Sequence, residues 1–200
     1  VRYAPLLVAT ACATALVSLG CGRSGPTSGL PQDADAPFDV ETMAFLSEAR
    51  ALHHEANVSE ESGDDRLAIA TVARIVHARR PSGAPPEVEE VLADAYARLA
   101  ELELRAGDRD AALRDAREGL THAATTTYFR GHLLEVEGVI EESRATNLAD
   151  AGDSAGAARA RSSSMRLLEE AVSVQARVIE GALDGGTVRE THEEAHPEER

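Results

Sequence analysis

Residues 96–120 read YARLAELELRAGDRDAALRDAREGL, and the division of this stretch decides the fold. Gly107-Asp108 separates two segments whose apolar residues recur at helical spacing. A glycine closes a helix in the left-handed conformation, and an aspartate directly after it caps the next one. The stretch therefore predicts a helix, a tight turn and a second helix. Upstream, Pro85-Pro86-Glu87 opens the first of these, with Glu87, Glu89 and Glu90 in its first turn. Val88, Val91, Leu92, Ala95, Leu99 and Leu102 form its buried stripe, and Asp94–Arg98 and Glu101–Arg105 pair at i, i+4 on a solvated face.

The same turn chemistry occurs at Ser62-Gly63-Asp64 and Ala151-Gly152-Asp153. Small or aliphatic residues follow each turn: Leu67-Ala68-Ile69, Ala111-Ala112-Leu113 and Ala157-Ala158. The three glycines stand 44 and 45 residues apart, which indicates three tandem helix–turn–helix units. The first helix starts near Asp39 and buries Met43, Leu46, Ala49, Leu52 and Ala56; the second buries Leu67, Ala70, Val72, Ile75 and Val76 and ends before Arg79-Arg80-Pro81. Further helices are expected over about 108–123, 127–151 and 153–183, the last kinked or divided by Ser162-Ser163-Ser164.

Residues 96–120 resemble a tetratricopeptide repeat. Tyr96 occupies the early aromatic position, Leu99-Ala100 the apolar–small pair, Gly107-Asp108 the turn, and Ala112 the small residue of the second helix. Glu103 replaces a usual aromatic, and Gly119 stands where alanine is common. The resemblance extends more weakly over 39–183, with a period longer than the roughly 34 residues usual for such repeats. It implies an all-α fold of antiparallel helical hairpins in an array of about three units, with a concave binding surface. A plain antiparallel helical bundle is the competing architecture.

Composition agrees with helices built from small and aliphatic residues. Trp is absent, only three Tyr and three Phe occur, and Ala and Leu dominate. All basic residues are arginine. The net charge is −15, and 27 acidic residues face 16 arginines between Asp39 and Leu183. Such a surface repels phosphate backbones and excludes nucleic acid as a partner class.

Residues 1–20, VRYAPLLVATACATALVSLG, place one charge, Arg2, before an apolar run from Ala4 to Leu19. The run falls short of the about 20 apolar residues that span a bilayer and reads as a secretory signal peptide. Ser18-Leu19-Gly20-Cys21-Gly22 resembles the lipobox of bacterial lipoproteins, with Ser18 where leucine is usual. The resemblance implies cleavage before Cys21 and lipidation of its thiol, firm anchoring requiring two or more acyl chains. Cleavage by an ordinary signal peptidase after Ala13-Thr14-Ala15 is the alternative. Residues 21–38, rich in Gly, Pro, Ser and Asp, read as a flexible tether of on the order of 20–25 Å. Residues 184–200 carry no apolar stripe and read as a disordered acidic tail.

That tail contains His192-Glu193-Glu194-Ala195-His196, which satisfies the H-E-x-x-H zinc signature. Zinc hydrolysis requires these residues on a buried helix with a third ligand, whereas here they adjoin Pro197 in charged sequence without apolar flanks. No catalytic, cofactor-binding or metal residue is therefore assigned. Adjacent His53 and His54 point to different faces, and His77, His122 and His132 share no ligand spacing. The carboxylate pairs Glu89-Glu90, Glu141-Glu142 and Glu169-Glu170 read as solvated helix faces.

The expected function is that of a non-enzymatic, lipid-anchored adaptor or scaffold of the bacterial cell envelope. It would be held at the outer membrane facing the periplasm and bind an envelope protein. Self-association as a structural envelope protein is the runner-up, and a zinc-dependent hydrolase a remote third.

Overall fold

The computed structural model describes residues 39–190, with side chains through Asp184. They form six α-helices: α1 (Val40–Glu61), α2 (Asp65–Val76), α3 (Pro86–Arg105), α4 (Arg109–His122), α5 (Tyr128–Asp150) and α6 (Ser154–Glu190). No strand occurs among the described residues. The fold is all-α. None of these helices is long and apolar enough to cross a membrane.

The three Gly-Asp turns share one hydrogen-bond pattern. Gly63, Gly107 and Gly152 have φ of 78°, 89° and 83°, the left-handed region in which a side chain is strained. At each turn two N–H groups reach back to free carbonyls of the preceding helix. Gly63 donates to Glu60 at 3.0 Å and Asp64 to Ser59 at 2.9 Å; Gly107 donates to Leu104 at 3.1 Å and Asp108 to Glu103 at 2.9 Å. Gly152 donates to Ala149 at 3.0 Å and Asp153 to Leu148 at 2.8 Å. Each aspartate then accepts the N–H three residues on: Leu67 at 3.0 Å, Ala111 at 3.0 Å and Gly156 at 2.8 Å.

Packing follows chain order. Helix α1 lies on α2 and α3, α2 on α3, α3 on α4 and α5, α4 on α5, and α5 on α6. The largest core joins Phe45, Leu52, Val72, Ile75, Leu92 and Leu102 from α1, α2 and α3. Ala112 and Ala116 of α4 meet Ala100, Val136 and Ile140, and Leu134 of α5 meets Leu167, Ala171 and Val174 of α6.

Several sequence expectations change. On α1 the buried aromatic is Phe45, while Met43 is exposed. On α2 the buried small residues are Ala68 and Thr71, while Leu67 and Ala70 are exposed. Val72, Ile75 and Val76 are buried as expected. Helix α3 is central, so Ala93, Tyr96, Ala97 and Ala100 are buried beside the expected stripe. The serine run divides nothing: α6 is continuous. Ser164 is buried against α5, where Gly138 lets the α6 backbone approach. A Cβ on Gly138 would lie 2.9 Å from the Leu168 side chain and 3.5 Å from the Ser164 carbonyl. The α6 backbone continues beyond the boundary drawn at residue 183, to Glu190.

Of the two departures of residues 96–120 from the pattern they resemble, Gly119 has a physical reason. A Cβ at Gly119 would stand 2.6 Å from Leu133 and 2.8 Å from Tyr96. Glycine therefore leaves space for a leucine of α5. Glu103 stands beside Asp115 of α4, and one of its carboxylate oxygens is buried without a hydrogen-bond partner. Burial first, then the neighbouring Asp115 and Asp108, push its carboxyl up to about 8.

Candidate functional site

Helices α1, α3 and α5 pack in series, α1 on α3 and α3 on α5. Two grooves lie along this series. Between α1 and α3, a groove of about 590 Å³ is lined by Met43, Leu46, Ser47, Ala49, Arg50, His53, Val91 and Asp94. Between α3 and α5, one of about 330 Å³ is lined by Glu101, Leu104, Tyr128, His132, Glu135, Val136 and Val139. Met43, Tyr128 and Val139 are among the exposed large apolar residues, so both grooves combine apolar contact surface with carboxylates.

The charged residues of α3 set the polarity of these grooves. The i, i+4 pairs expected within α3 are replaced by pairs to other helices. Asp94 faces His53 of α1 at 3.7 Å, and Glu101 meets His132 of α5 at 3.1 Å. Arg98 meets Glu60 at 2.5 Å, Asn57 at 2.5 Å and the His53 carbonyl at 3.2 Å. Arg105 reaches Glu60 at 2.6 Å and Asp65 at 3.5 Å. Four positions that fit a solvated face therefore link α3 to its neighbours instead.

These pairs divide the two groove histidines. Burial is the main force holding His53 below the usual imidazole range; Asp94 opposes it and Arg98 adds to it. Neutral His53 accepts from Arg98 on Nδ1 at 3.1 Å and presents Nε2 towards Asp94. His132 moves the other way. Its hydrogen bond to Glu101 raises it, burial opposes, and the charges of Glu101, Asp94 and Glu135 add to the rise. Tyr128 lies over His132 with ring centroids 5.9 Å apart. Glu60 is half-buried; burial alone would raise its carboxyl, but Arg98 and Arg105 together hold it below the ordinary range.

The other sequence candidates are dispersed. His54 and His77 are exposed. The side chain of His122, 7% exposed at the end of α4, stacks on Tyr96 at 5.4 Å and bonds to Glu89 at 2.6 Å, which ties α4 to α3. Glu141 is not solvated: it is 5% exposed and pairs with Arg144 at 3.5 Å. Among the described residues no three His, Cys, Asp or Glu side chains converge as a metal site. Cys21, the tether over 21–38 and the His192–His196 motif lie outside the described residues.

The α3–α5 groove sets Glu101 and Glu135 beside its apolar residues, and the α1–α3 groove sets Arg50 and Asp94 beside its own. Sequence reading identified α3 and its stripe, but not the grooves, because these arise where helices far apart in the chain meet. No protein-family model matches the chain, and no curated protein is significantly similar to it.

Proposed function

We propose that this chain is a lipid-anchored adaptor of the bacterial cell envelope whose α1–α3–α5 face binds another protein. The observation that carries this reading is the serial packing of α1, α3 and α5 with two grooves of mixed apolar and charged lining along it. The first helix of each pair contributes to that face. In a repeat array, such helices form an extended binding surface. The recurring turn geometry and the order of helix contacts support a tetratricopeptide-repeat-like array over a closed bundle, since α1 touches neither α5 nor α6. The adaptor is not an enzyme.

The anchor reading rests on the sequence Leu19-Gly20-Cys21 and the apolar run before it. Cleavage before Cys21 and lipidation there hold the helical domain at the outer membrane, facing the periplasm. The acidic domain does not adhere to anionic lipid head groups by charge.

In-cell crosslinking, purification from membranes and mass spectrometry test both parts. The adaptor reading expects one abundant envelope protein crosslinked to the native chain and reduced in Cys21→Ser. It also expects an acylated Cys21 at the mature N-terminus. An unmodified residue other than Cys21 there would refute the anchor, and crosslinks without any heterologous envelope protein would refute the adaptor.

A further inference from the structure

The groove between α3 and α5 differs from its neighbour in charge. The α1–α3 groove is lined by Arg50 as well as Asp94, so its fixed charges cancel. The α3–α5 groove is lined by Glu101 and Glu135 and by no arginine, and His132 is its one basic group. His132 is committed to Glu101 at 3.1 Å. Its pKa, raised first by that hydrogen bond, also registers the negative charges of Asp94 and Glu135 nearby. Three carboxylates therefore share one imidazole.

The arginines of the two lining helices do not make up the difference. Helix α3 carries Arg98 and Arg105, and both are bonded to Glu60. Helix α5 carries Arg130 and Arg144. Arg144 pairs with Glu141 at 3.5 Å. Arg130 stands two residues from both Tyr128 and His132, off their side of the helix, and does not line the groove. Glu135 is exposed and forms no ion pair among the described residues. Further along the same side of α5, Glu142 is exposed as well, with Arg161 of α6 at 3.9 Å.

Apolar surface accompanies these carboxylates. Tyr128 is 58% exposed and Val139 47% exposed, and Leu104 lines the groove with them. An aromatic ring beside carboxylates suits an arginine or lysine, whose charged head meets the acids while its methylene stem packs on the apolar wall. The groove, of about 330 Å³, is at the small end of ligand pockets of roughly 300–1,000 Å³. That is a size for one long side chain and its neighbours.

We infer that the α3–α5 groove takes a basic segment of the partner protein, with an arginine or lysine entering between Glu101 and Glu135 and apolar neighbours against Leu104, Tyr128 and Val139. The inference rests on the adaptor reading and gives its partner a chemistry. The chain's own flanking sequence does not supply such a segment. Residues 22–38 hold Arg23 against Asp33 and Asp35, and residues 185–200 hold Arg189 and Arg200 against five glutamates. Two copies, each with 27 acidic residues against 16 arginines over 39–183, repel one another.

Photocrosslinking in cells tests the inference, with a photoreactive residue in place of Val139 of the full chain and the captured segment sequenced by mass spectrometry. That segment should carry an arginine or lysine and a net positive charge. Glu135→Arg should cut the yield about tenfold, because like charges then meet in the interface. Its helical circular dichroism should be unchanged, since Glu135 is exposed. Glu169→Arg, the same charge change on the exposed surface of α6, should leave the yield unaltered. A captured segment that is acidic or uncharged would overturn the inference and leave the adaptor reading standing. A yield indifferent to Glu135→Arg, or reduced equally by Glu169→Arg, would overturn it too, as would capture of a second copy of this chain. No product at all would remove the adaptor reading and this inference with it.

Discussion

The two ends of the domain are held together differently. At the amino-terminal end, α1, α2 and α3 enclose a core of large side chains, including Phe45, Ile75, Leu92 and Leu102. A network through Glu60, Arg98, Arg105 and Asp65 ties its edge. At the carboxy-terminal end, α5 meets α6 through Gly131, Gly138 and Ala171 around a smaller cluster. It leaves Met165, Val172, Ile179 and Leu183 outside. Both ends leave apolar residues exposed, Val40, Met43, Val58 and Leu67 on two helices at the first, whereas at the second they fall along the single helix α6. Helices stacked in series leave each terminal helix with a free face, and here the two terminal helices differ in what that face carries.

The sharpest way to break this comparison is to empty both cores. Leu92 is fully buried, and Leu92→Ala should cost about 2–5 kcal/mol in urea unfolding. Leu167→Ala, in the smaller α5–α6 cluster, should fall near the lower end of that range. Equal losses would show that the two ends are equally consolidated.

Glycine substitutions sharpen the contrast. Gly119→Ala drives a methyl group into buried Leu133 and Tyr96, which should destabilise by about 1–3 kcal/mol. Gly138→Ala meets Leu168, which is only partly buried and has room to turn, so its effect should be smaller. A larger loss at Gly138 would mean that α5 and α6 are the more tightly fitted pair.

The ion network gives the next effect. Arg98 is 19% exposed and bonds to Glu60, Asn57 and the His53 carbonyl. Arg98→Ala should therefore cost about 1–3 kcal/mol, the range for hydrogen bonds to charged groups. Arg74→Ala should cost under about 1 kcal/mol, because its pair with Glu55 is solvent-exposed. Thermal melts of the two variants side by side distinguish them.

The last effect is a pH dependence, read as a slope rather than as a loss at one pH. Glu103 has a folded pKa raised from 4.5 to about 8, so the native state holds a proton that the unfolded chain releases. Its contribution is fully present below the unfolded value, declines as pH rises, and is lost above about 8. Glu103→Gln keeps a neutral side chain at all pH and should flatten the fall in melting temperature between pH 5 and 9. An unchanged slope would remove Glu103 as its source.

Much of the fold was legible because its punctuation is local. Gly63, Gly107 and Gly152 with their following aspartates mark three turns, and the helix ends fall within a residue or two of them. The faces were harder to read. Leu67 is apolar yet exposed, Thr71 is polar yet buried, and Ser164 packs on Gly138; only the neighbouring helix decides such cases. The grooves were not legible at all. Met43 and Val91 stand 48 positions apart, and no spacing within one helix announces that they share a groove. Likewise Asp94–Arg98 and Glu101–Arg105 fit a solvated face so well that their links to α1 and α5 leave no trace in sequence.

The central claim is that the α1–α3–α5 face binds a partner, and site-specific photocrosslinking in cells tests it most directly. A photoreactive residue would replace Met43, Tyr128 or Val139 on that face, with exposed Leu67 of α2 as the control. The account predicts one shared heterologous product from the three face positions and none from position 67. Products common to all four positions, or none from the face, would contradict it.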